Sequence, residues 1–145
     1  MHEQRDIETT HAAPPNARRD GRIIALAALA GVLMTVIGLR FVVFPDSAAR
    51  FFGLVGRPNG FQLHTVIGLR DLWLGLLAVA LCWFEEWRAL MLWLGLGALV
   101  CFGDAGIVAG AEGKPLAVVF HLVSGVFFSV LAVLAWRRTR RRHNP

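Results

Sequence analysis

Charge is scarce in this 145-residue chain. Only 17% of its residues are Asp, Glu, Lys or Arg, whereas a soluble domain carries about 25%. That is too little to cover a water-facing surface. Cysteine is scarce as well: Cys82 and Cys101 both sit inside apolar runs, which excludes a disulfide scaffold. Compact Cys/His spacings of the kind that hold a metal are missing, and no nucleophile motif accompanies the ionisable residues. With 56% hydrophobic residues, the body of the chain is too apolar for intrinsic disorder. An integral membrane protein is the class that remains.

The net charge of +5 does not point to nucleic acid. Nine of the 15 basic residues lie in the two tails, among them Arg18, Arg19, Arg22 and the run from Arg137 to Arg142. They flank apolar segments rather than forming a patch on a folded surface, so they read as determinants of membrane orientation.

About 20 apolar residues suffice to cross a bilayer as a helix. Four segments meet this length: about 23–44, 61–84, 88–110 and 116–136. The first could be mistaken for a signal peptide, since basic residues precede it and Ser47-Ala48-Ala49 follows. It is longer than the usual 7–15-residue signal core, however, and reads as an uncleaved span. Pro45 ends it, and Asp46 to Gly53 reads as a short interfacial helix capped by Asp46 or Ser47 and closed by Gly53, with Phe51 and Phe52 at the interface. Arg57 to Gly60 reads as a turn, and Glu112 to Pro115 as another. The expected fold is an all-α four-transmembrane-helix bundle with one interfacial helix after the first span. Residues 1–22 read as a disordered tail, 23–136 as the membrane domain and 137–145 as a basic tail.

Four spans put both termini on one side. Ten basic residues lie on that side, counting Arg88, against Arg50, Arg57 and Lys114 on the other. The positive-inside rule therefore expects both termini in the cytoplasm and the chain in the inner (plasma) membrane.

Ionisable residues within the spans carry the most information, because each costs roughly 2.5–3.5 kcal/mol at a helix centre. Counted at ~1.5 Å per residue from the ends away from the termini, Arg40 and His64 lie ~5 Å deep, Asp104 and His121 ~9 Å, and Arg70 with Asp71 ~15 Å. All sit in the half distal to the termini or at the midplane. Helical spacing puts His64, Gly68, Asp71, Gly75, Ala78 and Cys82 on one small, polar stripe. Gly97, Cys101 and Asp104 align on the third span, and His121, Ser124, Gly125, Ala132 and Ala135 on the fourth, with Phe128 as the bulky exception. Arg40 is expected to snorkel outward. Adjacent residues on a helix diverge, so Asp104 rather than Asp71 is the expected partner of Arg70. The hexapeptide Thr35 to Arg40 recurs as Thr65 to Arg70; apolar bias with a shared need for glycine at a helix crossing is the expected cause, against the alternative of an inverted repeat such as transporters carry.

The motifs Gly68-Leu69-Arg70-Asp71 and Gly103-Asp104-Ala105-Gly106, with His121 and the segment Pro45 to Gly53, resemble domain-of-unknown-function family four-two-six-seven. These are small four-helix membrane proteins of bacteria and fungi. A looser likeness links the chain to DoxX-like proteins. The resemblance covers about residues 23–136 and implies four helices without an activity.

Functionally, His64, Arg70, Asp71, Asp104, His121 and Ser124 are the candidate lining of a polar cavity for a small amphipathic or quinone-like ligand. Carboxylates beside a histidine in a low-dielectric site also suit acid–base work. Competing readings are a structural or accessory subunit, a b-type haem module with His64 and His121 as axial ligands, and a proton-coupled carrier. The last fits poorly with the apolar halves nearest the termini.

Overall fold

The computed structural model describes residues 15–52, 61–111 and 113–141. The segment 1–14, Gly53, the turn Arg57 to Gly60, Glu112 and residues 142–145 lie outside the described residues. Five helices follow one another: α1 (Pro15–Val43), α2 (Pro45–Phe52), α3 (Phe61–Trp83), α4 (Trp87–Gly110) and α5 (Pro115–Arg141). All except α2 are long and apolar enough to cross a membrane.

Proline sets three of the helix starts. Pro15, Pro45 and Pro115 each occupy the first helical position, where a missing N–H costs nothing and a fixed φ already suits the helix. The same chemistry separates α1 from α2. Phe44 precedes Pro45 and is pushed out of the helical region, so α1 stops at Val43. The Phe44 carbonyl then accepts from the Ala48 amide at 3.0 Å and starts α2. Arg40 Nη2 donates to Ser47 Oγ at 2.8 Å across this corner, which ties the end of α1 to α2. α1 begins at Pro15 rather than near Ile23, so the residues read as a disordered tail are helical from Pro15 onward. α5 likewise continues to Arg141.

The α3–α4 connection is a tight reversal. Glu86 N–H reaches the Leu81 carbonyl at 3.0 Å and Glu85 N–H the Cys82 carbonyl at 3.3 Å. This is the Schellman pattern, with Glu85 at the left-handed position (φ 52°) that glycine usually takes.

Packing divides the bundle into two close helix pairs, α1 with α3 and α4 with α5, which meet each other more sparsely. In the first pair, backbones touch. A Cβ on Gly31 would lie 2.9 Å from the Gly75 carbonyl oxygen, and one on Gly75 2.6 Å from that of Gly31. Small residues are what allow this in a membrane, where lipid tails are as apolar as leucine and association depends on packing. In the second pair, glycines act as sockets for rings. A Cβ on Gly97 would meet Phe128 at 2.8 Å, and one on Gly125 would meet Phe102 at 2.7 Å. Phe128, the bulky exception on its stripe, thus fits because Gly97 faces it.

The layer between the pairs changes character along the membrane. Toward the termini it is hydrocarbon: Ile23, Ala27, Trp87, Leu90, Leu94 and Leu131 are buried in one cluster. Toward the distal end it holds the buried polar residues His64, Asp71 and His121.

Candidate functional site

Three helices supply the distal polar layer: α3 gives His64, Arg70 and Asp71, α4 gives Asp104, and α5 gives His121 and Ser124. The stripe expected on α3 is buried at every position, at His64, Gly68, Asp71, Gly75, Ala78 and Cys82. On α4 the buried line runs instead through Leu94, Ala98, Ala105 and Val108. Gly97, Cys101 and Asp104 sit on its flank, half-buried. On α5, His121 and Gly125 are buried and Ser124 is half-buried.

Arg70 departs from expectation. Its Nε donates to Asp71 Oδ1 at 3.0 Å. Diverging Cβ directions do not keep neighbours apart when one carries a long flexible stem, and the Arg70 guanidinium folds back along its own helix. The Arg70 side chain stays 47% exposed while that of Asp71 is 11% exposed, so the pair has an open side and a buried side.

Asp104 lies within electrostatic reach of His121, Arg70 and Asp71. Yet among the described residues no hydrogen bond or ion pair reaches its carboxylate. Other polar groups in the spans behave differently. Thr35 donates to the Gly31 carbonyl at 2.9 Å and Ser129 to that of Gly125 at 2.8 Å, each satisfied by its own helix.

His121 and His64 are joined by phenylalanine rather than by open space. The His121 ring lies 4.6 Å from the Phe52 ring, and its Nε2 is 3.4 Å from the Phe52 carbonyl oxygen, which accepts when that nitrogen is protonated. Phe52 contacts Phe41 edge-on at 6.2 Å, and Phe41 contacts His64 in the same way at 6.1 Å. His64 is 3% exposed, and among the described residues neither ring nitrogen has a hydrogen-bond partner. Phe52, expected from the sequence at the membrane interface, packs against His121 and Phe41, a role that the sequence does not display for either phenylalanine. Ala48 and Phe52 are four apart on α2 and therefore share a face, and Ala48 is buried. Among the described residues, no three of His, Cys, Asp or Glu converge as a metal site would require.

A family model described as a domain of unknown function (DUF4267) matches residues 31–136. The chain belongs to this family. The DUF4267 match takes in the whole distal layer, from Phe41 to Ser124. It leaves the first half of α1 and the end of α5 outside. No curated protein and no solved structure matches the chain.

Proposed function

We propose that this DUF4267 protein is a multi-pass protein of the inner membrane with both termini cytoplasmic, and that its distal polar layer receives the polar end of a small amphipathic, quinone-like molecule. The topology rests on the ten-to-three distribution of basic residues. A membrane domain spanning about 23–136, flanked by polar ends, accords with it. A reporter fused after Pro145 tests the topology: activity of a periplasm-dependent phosphatase at that position overturns it.

One observation carries the ligand reading. Asp104 is an intramembrane carboxylate near His121 and Arg70, with no protein group bonded to it among the described residues. An ionisable group at such depth is a functional feature by default, because an unpartnered one is costly. A bound hydroxyl or amine would supply the missing partner, with Arg70 and His121 within electrostatic reach. An interhelical clamp is the weaker account, since the Arg70–Asp71 pair lies within α3 and fastens no two helices together. A haem held by both histidines is weaker still, because Phe41 and Phe52 connect them.

The experiment is extraction. Purified unmutated, Asp104→Asn and Asp71→Asn proteins are extracted with solvent, and the retained small molecules are compared by mass spectrometry. A molecule held by the unmutated protein and depleted in Asp104→Asn is expected. Equal small-molecule content in all three overturns the reading.

A further inference from the structure

The ends of α1 and α5 nearest the termini form a second feature, unrelated to the distal layer. At ~1.5 Å per residue, α1 and α5 are ~43 Å and ~40 Å long, against about 30 Å of hydrocarbon. They overshoot, and the overshooting ends carry seven of the chain's 14 arginines. Between them lies a cleft of 210 Å³. Arg19 and Asp20 of α1 line it, with Arg137, Arg138 and Arg141 of α5, over a floor of Ile23 and Leu134.

The charges are not equivalent. Arg138 Nε is 2.5 Å from Asp20 Oδ2, so these two form a bridge between the helices. Arg138 also lies over the Trp87 ring, its guanidinium carbon 5.6 Å from the ring centroid. Arg19, Arg137 and Arg141 remain, and among the described residues no hydrogen bond or ion pair holds them. Three guanidiniums around one opening form an anion site, and the planar donor fork of arginine suits phosphate oxygens.

Depth and shape indicate the source of the phosphate. Trp87 and Trp136 place this level at the membrane interface, where tryptophan collects. Trp136 carries Arg140 at 4.1 Å over its ring, so the arginines and the aromatic belt share one level. The floor is apolar, and one turn deeper Leu26 and Val130 are open to lipid. A volume several times the roughly 30 Å³ of a water molecule admits a whole headgroup.

We propose that this cleft binds the phosphate of an anionic phospholipid, with the headgroup among Arg19, Arg137 and Arg141 and the acyl chains lying along the α1–α5 seam. Basic recesses between helices at such a surface suit anionic lipid, at about 1 kcal/mol per arginine near it. Every charged residue of the cleft lies outside the residues that match DUF4267, with only Leu134 of its floor inside them, and the site does not depend on the reading of the distal layer.

The test uses the full chain in neutral detergent. Thermal melting is followed during titration with short-chain phosphatidylglycerol, short-chain phosphatidylcholine or inorganic phosphate. Phosphatidylglycerol is expected to raise the melting temperature saturably, and phosphatidylcholine is not. Arg137→Gln with Arg141→Gln should weaken the phosphatidylglycerol response about tenfold or more. Arg18→Gln with Arg22→Gln removes equal charge from exposed positions that do not line the cleft and should change it less than about threefold. Equal loss in both doubles overturns the cleft in favour of diffuse attraction. An equal shift with phosphatidylcholine overturns the anionic preference, and an equal shift with inorganic phosphate at matched concentration overturns the lipid as source. Native mass spectrometry of the unmutated protein gives a reading free of folding defects: a retained anionic phospholipid is expected, and its absence overturns the proposal.

Discussion

Gly38 of α1 and Gly68 of α3 touch backbone to backbone: a Cβ on Gly68 would stand 2.8 Å from the Gly38 carbonyl oxygen, and one on Gly38 2.7 Å from that of Gly68. These are the glycines of the repeated hexapeptide, and each sits against the other. Gly31 and Gly75 repeat the contact seven residues further along each helix, so two antiparallel helices share a heptad-spaced glycine seam. The repeat marks a helix crossing and not a duplicated transporter half.

Gly38→Ala should therefore destabilise the protein by about 1–3 kcal/mol. The added methyl meets backbone atoms of Gly68 and Leu72, which cannot swing aside, so α1 and α3 must part. Gly103→Ala is the control, because nothing lies within 4 Å of its Cβ position. Thermal denaturation in detergent should show a lower midpoint for the first variant and an unchanged or higher one for the second. Equal midpoints would mean the crossing is looser than described.

Arg70 and Asp71 should be energetically coupled. Arg70→Ala leaves the Asp71 carboxylate buried without its ion pair, which costs more than the exposed arginine gains. Adding Asp71→Asn should recover much of the loss, with a coupling of at least about 0.5 kcal/mol. Adding Asp104→Asn should recover less, since Asp104 feels Arg70 only at longer range. A double-mutant cycle in which Asp104 couples more strongly than Asp71 would refute the pairing.

Much of this architecture is legible from residue identity, and the gaps have physical causes. Four spans follow from apolar length alone. The inward stripe of α3 could be read because glycine, alanine and cysteine share it with His64 and Asp71, while Trp73 and Leu76 face lipid, each more than half exposed. On α4 the same reasoning misplaced the inward line. Both sides of a membrane helix are apolar, so hydrophobic periodicity fades and only size and polarity remain to orient it. Leu94 packs inward while Leu92 and Leu96 face lipid, and one residue type on every side gives no direction. The Arg70–Asp71 pair was hidden because it depends on side-chain torsions rather than on spacing. The early start of α1 was visible in Pro15, but the surrounding charge suggested a tail.

Glu85→Gly should stabilise the protein by about 1 kcal/mol. Glu85 holds φ 52° in the α3–α4 reversal, a conformation that costs a residue with a Cβ roughly 1–2 kcal/mol. Glycine adopts it freely and keeps both backbone hydrogen bonds of the turn. Its exposed side chain makes no hydrogen bond or ion pair among the described residues. A raised unfolding midpoint is the expected readout, and a lowered one would mean the carboxylate has a role of its own.

Ser124 and Asp104 should be reachable by water from the side opposite the termini. Both are half-buried rather than sealed, and the exposed, charged side chain of Arg70 offers a polar edge along which water can enter. Ser124→Cys is nearly isosteric, and Asp104→Cys removes a carboxylate that no described residue binds, so neither should disturb the fold. In a background lacking Cys82 and Cys101, each should react with a small membrane-impermeant thiol reagent added from that side. Leu76→Cys is the control. Its position is 55% exposed in the bundle but points into lipid, where the reagent is absent and the thiol seldom ionises. Preincubation with a short-chain quinone analogue should slow labelling at the two polar-layer positions and leave the detergent-unfolded rate unchanged. If neither position reacts while an extramembrane cysteine on the same protein does, water does not enter the layer, and the ligand site is refuted.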